Sequence, residues 1–188
     1  GSRAMNLRPW LLAGALAMVA LPAVAAVPTD DQVVRLQRMM GFEGAIEKVI
    51  TDQFGEQPVF VAMKAPQREC LLGEMTPMMA GQMSDAFKDL FGDEQTASEW
   101  LAFADTAGGR KLMSFVQAGV QASMDGKPAP TPEAALGDMN AEEMGDMMTF
   151  MATPAAKVLE RDFPALKMAD AELETFMVGA MARCGIAE

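Results

Sequence analysis

Met75, Met78, Met79 and Met83 fall at relative positions 0, +3, +4 and +8, and Met144, Met147, Met148 and Met151 at 0, +3, +4 and +7. On a helix each set lies along one face. Thioether sulfurs grouped in this way are soft ligands, and in an oxidising exterior they could hold monovalent copper. The same spacing is what a core stripe requires, and Met is an adaptable core filler. An exposed stripe of this kind would instead line an adaptable groove for a protein partner.

The second candidate for chemistry is FADTAGGRKL, residues 103 to 112, where Gly108-Gly109-Arg110-Lys111 invites comparison with a phosphate cradle. A Walker loop follows a strand and places Ser or Thr after its Lys. Here the glycines follow a helical pattern and Leu112 follows Lys111, so a structural corner is expected. The chain has no His at all, which removes the usual base partner of a Ser or Cys nucleophile. Adjacent acids such as Asp30 and Asp31, or Glu142 and Glu143, point in different directions from a helix start, where they favour its dipole. No Asp-x-Asp-x-Asp-Gly calcium loop is present. The residues therefore predict a protein that is not an enzyme and takes no cofactor, with an uncharacterised hydrolase as the weakest alternative.

The chain opens GSRA before Met5, as a cloning scar does, and continues MNLRPWLLAGALAMVALPAVAA. A basic residue, a short apolar run and small residues at Ala23, Ala25 and Ala26 make a secretory leader over residues 1–26, cut after Ala25 or Ala26. The remainder, 27–188, is long enough for one domain and has no run that spans a membrane. Periplasmic localisation follows. Losing Arg3 and Arg8 leaves 13 of the 15 basic residues against 26 acidic ones, a formal charge of −13. That field repels nucleic acid and anionic lipid, and favours a cationic protein partner or simply solubility. Cys70 and Cys184 both follow the leader; in an oxidising compartment they form a disulfide or remain two buried thiols.

The elements that must position these groups read as helices almost throughout. Thr29 with Gln32 forms a capping box before Val33, Leu36, Met39 and Met40, and Thr96 with Glu99 forms another before Trp100, Leu101 and Phe103, which read as core. PVFVAMK, residues 58–64, is a connector or short helix; Pro77 kinks its helix or starts a new one; DGKPAPTP, residues 125–132, is a loop. EWLAFADTAGGRKLMSFV, from Glu99, aligns with DMMTFMATPAAKVLERDF, from Asp146, at a constant offset of 47 residues. Phe103 falls on Phe150, Thr106 on Thr153, and Gly108-Gly109 on Ala155-Ala156. Two related αα-hairpins are expected, each burying the other's apolar face. Thr106 and Thr153 cap the outgoing helices, Pro154 takes a first helical position, and Gly109 is expected to accept Ala because Ala156 stands in the second copy.

FADTAGGRKL also resembles the corner of the bacterial secreted family called domain of unknown function 2059, written Phe-Tyr-x-Ser-Pro-x-Gly-x-Lys. Phe103, Thr106 in place of Ser, Gly109 and Lys111 fall onto it, and Thr153 and Pro154 partly repeat it. Ala104 replaces the Tyr, Ala107 the Pro, and Ala156 the second Gly. The resemblance covers the layout from Val33 to Val120 and implies a helical exported protein with no known activity and no catalytic residues to transfer. The sequence as a whole predicts an all-α protein, a single helical domain of about six to eight helices. Its expected role is to bind another protein, in one concrete form as an inhibitor or immunity factor against a cationic secreted toxin. The alternatives are an envelope chaperone-like or stress protein with Met-lined grooves, and a Met-based copper(I) binder.

Overall fold

The computed structural model describes residues 25–162 and 170–186. The leader expected over 1–26 lies outside them except for Ala25 and Ala26. Every described element is helical: α1 Asp30–Met39, α2 Ala45–Phe54, α3 Pro58–Ala62, α4 Ala65–Phe91, α5 Glu94–Ala104, α6 Ala107–Met124, α7 Pro132–Gly137, α8 Ala141–Met151, a 3-10 helix Pro154–Glu160, and α9 Asp170–Arg183. The all-α, single-domain expectation holds, but the helices outnumber the six to eight expected. The surplus comes from α3 and α7, single short turns that Pro58 and Pro132 start at positions where a missing N–H costs nothing.

The long α4 is the spine. Its 27 residues extend about 40 Å at 1.5 Å each, and it neither breaks nor restarts at Pro77. That residue and Gly73, one turn earlier, are both exposed, so solvent can reach the carbonyl that the proline leaves without a donor. The carboxyl-terminal half of α4 contributes Met83, Phe87, Leu90 and Phe91 to the main core, with Val33 and Leu36 of α1 and residues of α5, α6, α8 and the 3-10 helix. The amino-terminal half contributes Leu71 and Met75 to a second cluster with Ile50 of α2 and Ala180 of α9. Cys70 and Cys184 form a disulfide, Cα to Cα 5.6 Å, that ties α4 to the residue following α9.

Trp100 is fully buried at the centre of the main core. It meets Phe91, Phe103 and Phe150 edge-on, at centroid distances of 5.9, 6.1 and 4.7 Å, a preferred aromatic geometry. Its indole N–H donates to the Ala155 carbonyl at 2.8 Å, so the one buried polar atom of the ring is satisfied.

Candidate functional site

The helix pairs at the two corners repeat in three dimensions. α5 and α8 are both 11 residues long and start at 94 and 141, 47 apart. Their N-caps are Asp93 and Asn140, whose side chains accept from the Thr96 and Glu143 N–H groups. The cap of α5 is therefore Asp93 and not Thr96, which lies inside the first turn. Thr106 and Thr153 follow with nearly equal backbone angles. In each corner the Thr hydroxyl donates to the carbonyl three residues earlier at 2.6 Å, Phe103 in one case and Phe150 in the other. The rings of Phe103 and Phe150 stack face to face, 4.0 Å between centroids and 6° between planes. Equivalent residues stacking on each other place the two hairpins about a pseudo-two-fold axis, with α6 packed on α8 and the 3-10 helix packed on α5.

Beyond the corner the copies diverge. Thr106 Oγ1 also accepts from the Gly109 N–H at 3.0 Å, as an N-cap should, and α6 runs on for 18 residues. Thr153 makes no such cap, and the chain leaves on a 3-10 turn with Pro154 at its first position, a correction to the expectation that both hydroxyls cap α-helices. Gly109 is also not replaceable on the strength of Ala156. A Cβ at Gly109 would lie 1.7 Å from the Phe103 carbonyl oxygen, and one at Gly108 would lie 2.3 Å from that of Glu143. The glycines let α6 start against the end of α5 and cross α8 closely. Their basic neighbours are occupied locally: Arg110 donates to the Asp105 carbonyl, and Lys111 Nζ lies 3.0 Å from Asp138 Oδ2 and 3.8 Å from Glu143 Oε2. The Gly108 N–H bonds to Asp146 Oδ2 at 3.0 Å. Nothing in this arrangement presents its N–H groups to a phosphate.

The methionine sets separate in the same way. Met75 and Met83 are both buried, but in different clusters, and Met79 packs beside Met75. Eight residues of helix, about 12 Å, separate Met75 from Met83, so the α4 set is core filling and neither one exposed groove nor one copper site; Met78 is partly exposed. In α8, Met147 packs on the main core. Met148 is 69% exposed and Met151 49%, with Met144 intermediate. The stripe straddles the boundary between core and surface. Met147 is the equivalent of Trp100, while Met148 and Met151 are the equivalents of Leu101 and Ala104, which are both buried.

The reason lies in α1. Gln32 closes the capping box of α1 with Thr29 and then donates through Nε2 to the Glu94 carbonyl at 3.1 Å and Ser98 Oγ at 3.0 Å. Seven residues later, Met39 lies beside Ala104 and Asp105 in a hollow of about 280 Å³, and its carbonyl accepts from Gln117 Nε2. α1 thus runs along α5 from Glu94 to Ala104 and roofs the first corner. At the second corner a hollow of about 370 Å³, bounded by Met151, Pro154, Lys157 and Leu159, is lined by residues of that unit itself. Leu159 is 48% exposed, whereas its equivalent Leu112 is buried. Sequence reasoning located Met148 and Met151 but not the asymmetry, because no local pattern tells which copy an earlier helix covers.

A separate apolar hollow of about 510 Å³ lies between α2, α4 and α6, bounded by Phe42, Val49, Met83, Val116, Val120 and Met124. Among the described residues, no cluster of three or more His, Cys, Asp or Glu side chains could hold a metal, and no helix is long and apolar enough to cross a membrane. No protein-family model, curated protein or solved structure matches the chain.

Proposed function

We propose that the protein works in the periplasm by binding another exported protein and does no catalysis. Its most concrete form is an inhibitor or immunity factor that neutralises a cationic secreted toxin, in keeping with the resemblance to the exported family of unknown function. The observation that carries this reading is the open outer face of α8, where apolar Met148 and Met151 stand in a strongly acidic chain. An exposed apolar patch with a polar rim is the usual make-up of a protein contact surface. The disulfide between Cys70 and Cys184 suits an oxidising compartment.

The test is recovery of the partner from periplasmic extract, followed by association kinetics across a salt series. A basic partner whose association slows steeply with added salt is expected, since screening shortens the acidic field to about 8 Å at physiological ionic strength. An acidic partner, or a rate flat from about 20 to 300 mM salt, contradicts the reading. A second reading, an envelope chaperone-like protein, is favoured by the apolar hollow of about 510 Å³ beside Met83 and Met124. Copper(I) is the third, and Met144, Met148 and Met151 are the sulfurs it would have to use.

A further inference from the structure

From the pseudo-two-fold relation we infer that the outer face of α8 is the docking site for a basic amphipathic helix of the partner, lying on α8 as α1 lies on α5. The inference rests on the protein-binding reading and names the partner's shape and charge. α5 shows what this face takes when covered. The residues along which α1 runs, Glu94, Ala97, Ser98, Leu101 and Ala104, share one side of α5 at helical spacing. Their equivalents are Ala141, Met144, Gly145, Met148 and Met151.

Ala97, Leu101 and Ala104 are 0%, 6% and 6% exposed beneath α1, against 69% and 49% for Met148 and Met151. Ser98, which receives the Gln32 side chain, is replaced by Gly145, where a side chain would meet open space among the described residues. Gly145 leaves a gap one turn before Met148, beside two flexible apolar side chains, into which one side chain of an incoming helix fits. α1 supplies the template: 10 residues with Val33 and Leu36, followed by Met40 at the C-cap, at 0, +3 and +7 turned to the core, the helix-in-groove spacing. The charge follows from the chain as a whole: Glu142 is exposed at the start of α8, Glu160 and Lys157 both border the hollow beside Met151, and the chain after the leader carries −13.

The deciding experiment uses the full chain from Val27 with its methionine methyls carbon-13 labelled. The probe is a synthetic peptide copying residues 28–42 with Asp31→Lys and Val34→Lys, two exposed positions of α1, so that it is basic. The methyl signals of Met148 and Met151 should shift on titration while that of Met75, buried in the other cluster, stays in place. Gly145→Gln, which fills the slot without touching the core, should weaken binding about ten-fold or more, and Met148→Lys should do the same. The unaltered α1 peptide should bind more weakly than the basic one. Unmoved Met148 and Met151 signals, or equal binding to Gly145→Gln, overturns the inference. Movement of those signals with protein concentration alone also overturns it, because the occupant would then be a second copy. If a captured partner binds Gly145→Gln undiminished, this inference fails while the protein-binding reading stands.

Discussion

Replacing Gly109 with Ala should destabilise the fold by about 2 kcal/mol, although Ala is the better helix former. The new methyl would stand 1.7 Å from the Phe103 carbonyl oxygen, 2.5 Å from its carbon and 2.8 Å from Ala104 Cα, where ordinary contact begins at 3.4 Å. The obstacle is backbone. Phe103 O is held by the Thr106 N–H at 2.9 Å and its hydroxyl at 2.6 Å, and Gly108 is fixed to Asp146, so the start of α6 cannot retreat without breaking the corner. Overpacking costs about 1 to 3 kcal/mol, and a backbone collision belongs at the upper end. Helix propensity returns about 0.8 to 1.0 kcal/mol, leaving a net loss of about 2. For a domain of this size that is a fall in Tm of about 4 to 8 °C. Urea unfolding followed by circular dichroism is the assay, with Gly145→Ala as control. That position is open, so the same substitution there should stabilise by about 0.4 to 1 kcal/mol. If Gly109→Ala is as stable as the parent, or gains as Gly145→Ala does, the close approach of α6 to α5 is wrong.

Thr106→Ala should cost about 1 kcal/mol through loss of a true N-cap, and Thr153→Ala distinctly less, because only the first hydroxyl receives a helix N–H; equal losses in urea unfolding would contradict the difference between the corners. Cys70 and Cys184 should resist alkylation in unreduced, exported protein, and reduction should lower stability by up to about 4 to 5 kcal/mol on the chain-entropy account with little change in helix content; two freely alkylated thiols would contradict this. Asp93 is held below its ordinary 3.8 chiefly by the hydrogen bond it accepts from the Thr96 N–H. Its contribution is thus fully present above that value and is lost as pH falls below 3.8 through the depressed one. Asp93→Asn should keep the cap, as Asn140 does, while flattening the acid limb of the unfolding midpoint against pH; an unchanged acid limb would refute the assignment.

Periodicity and caps made most of the fold legible in the sequence. The Thr29 and Gln32 box, the Phe103 and Phe150 correspondence, Pro154 at a first position and the pairing of the two Cys are local or countable features. What was not legible depends on distances across the chain. Asp93 caps α5 because the helix begins at Glu94, two residues before Thr96, and short-range signals place such boundaries only within a turn. The identity of Gly109 reflects the nearness of a carbonyl six residues away in another helix, which an aligned Ala in a 3-10 turn does not share. Both sets of four Met satisfied the same spacing rule, yet α4 packs against α1, α2, α5 and α9, whereas among the described residues no helix lies on the outer side of α8 as α1 lies on α5. Patterning gives the apolar arc; only the packing says which part of it is covered.

The central claim, that the outer face of α8 is where this protein meets a basic partner, is tested most directly by photo-crosslinking in the exporting cell. A photoreactive amino acid at position 148 should give one discrete covalent product containing a basic exported protein, and the same group at Leu136, exposed on α7, should not. A product that forms equally from both positions, or that contains an acidic protein or only a second copy of this chain, would contradict the account.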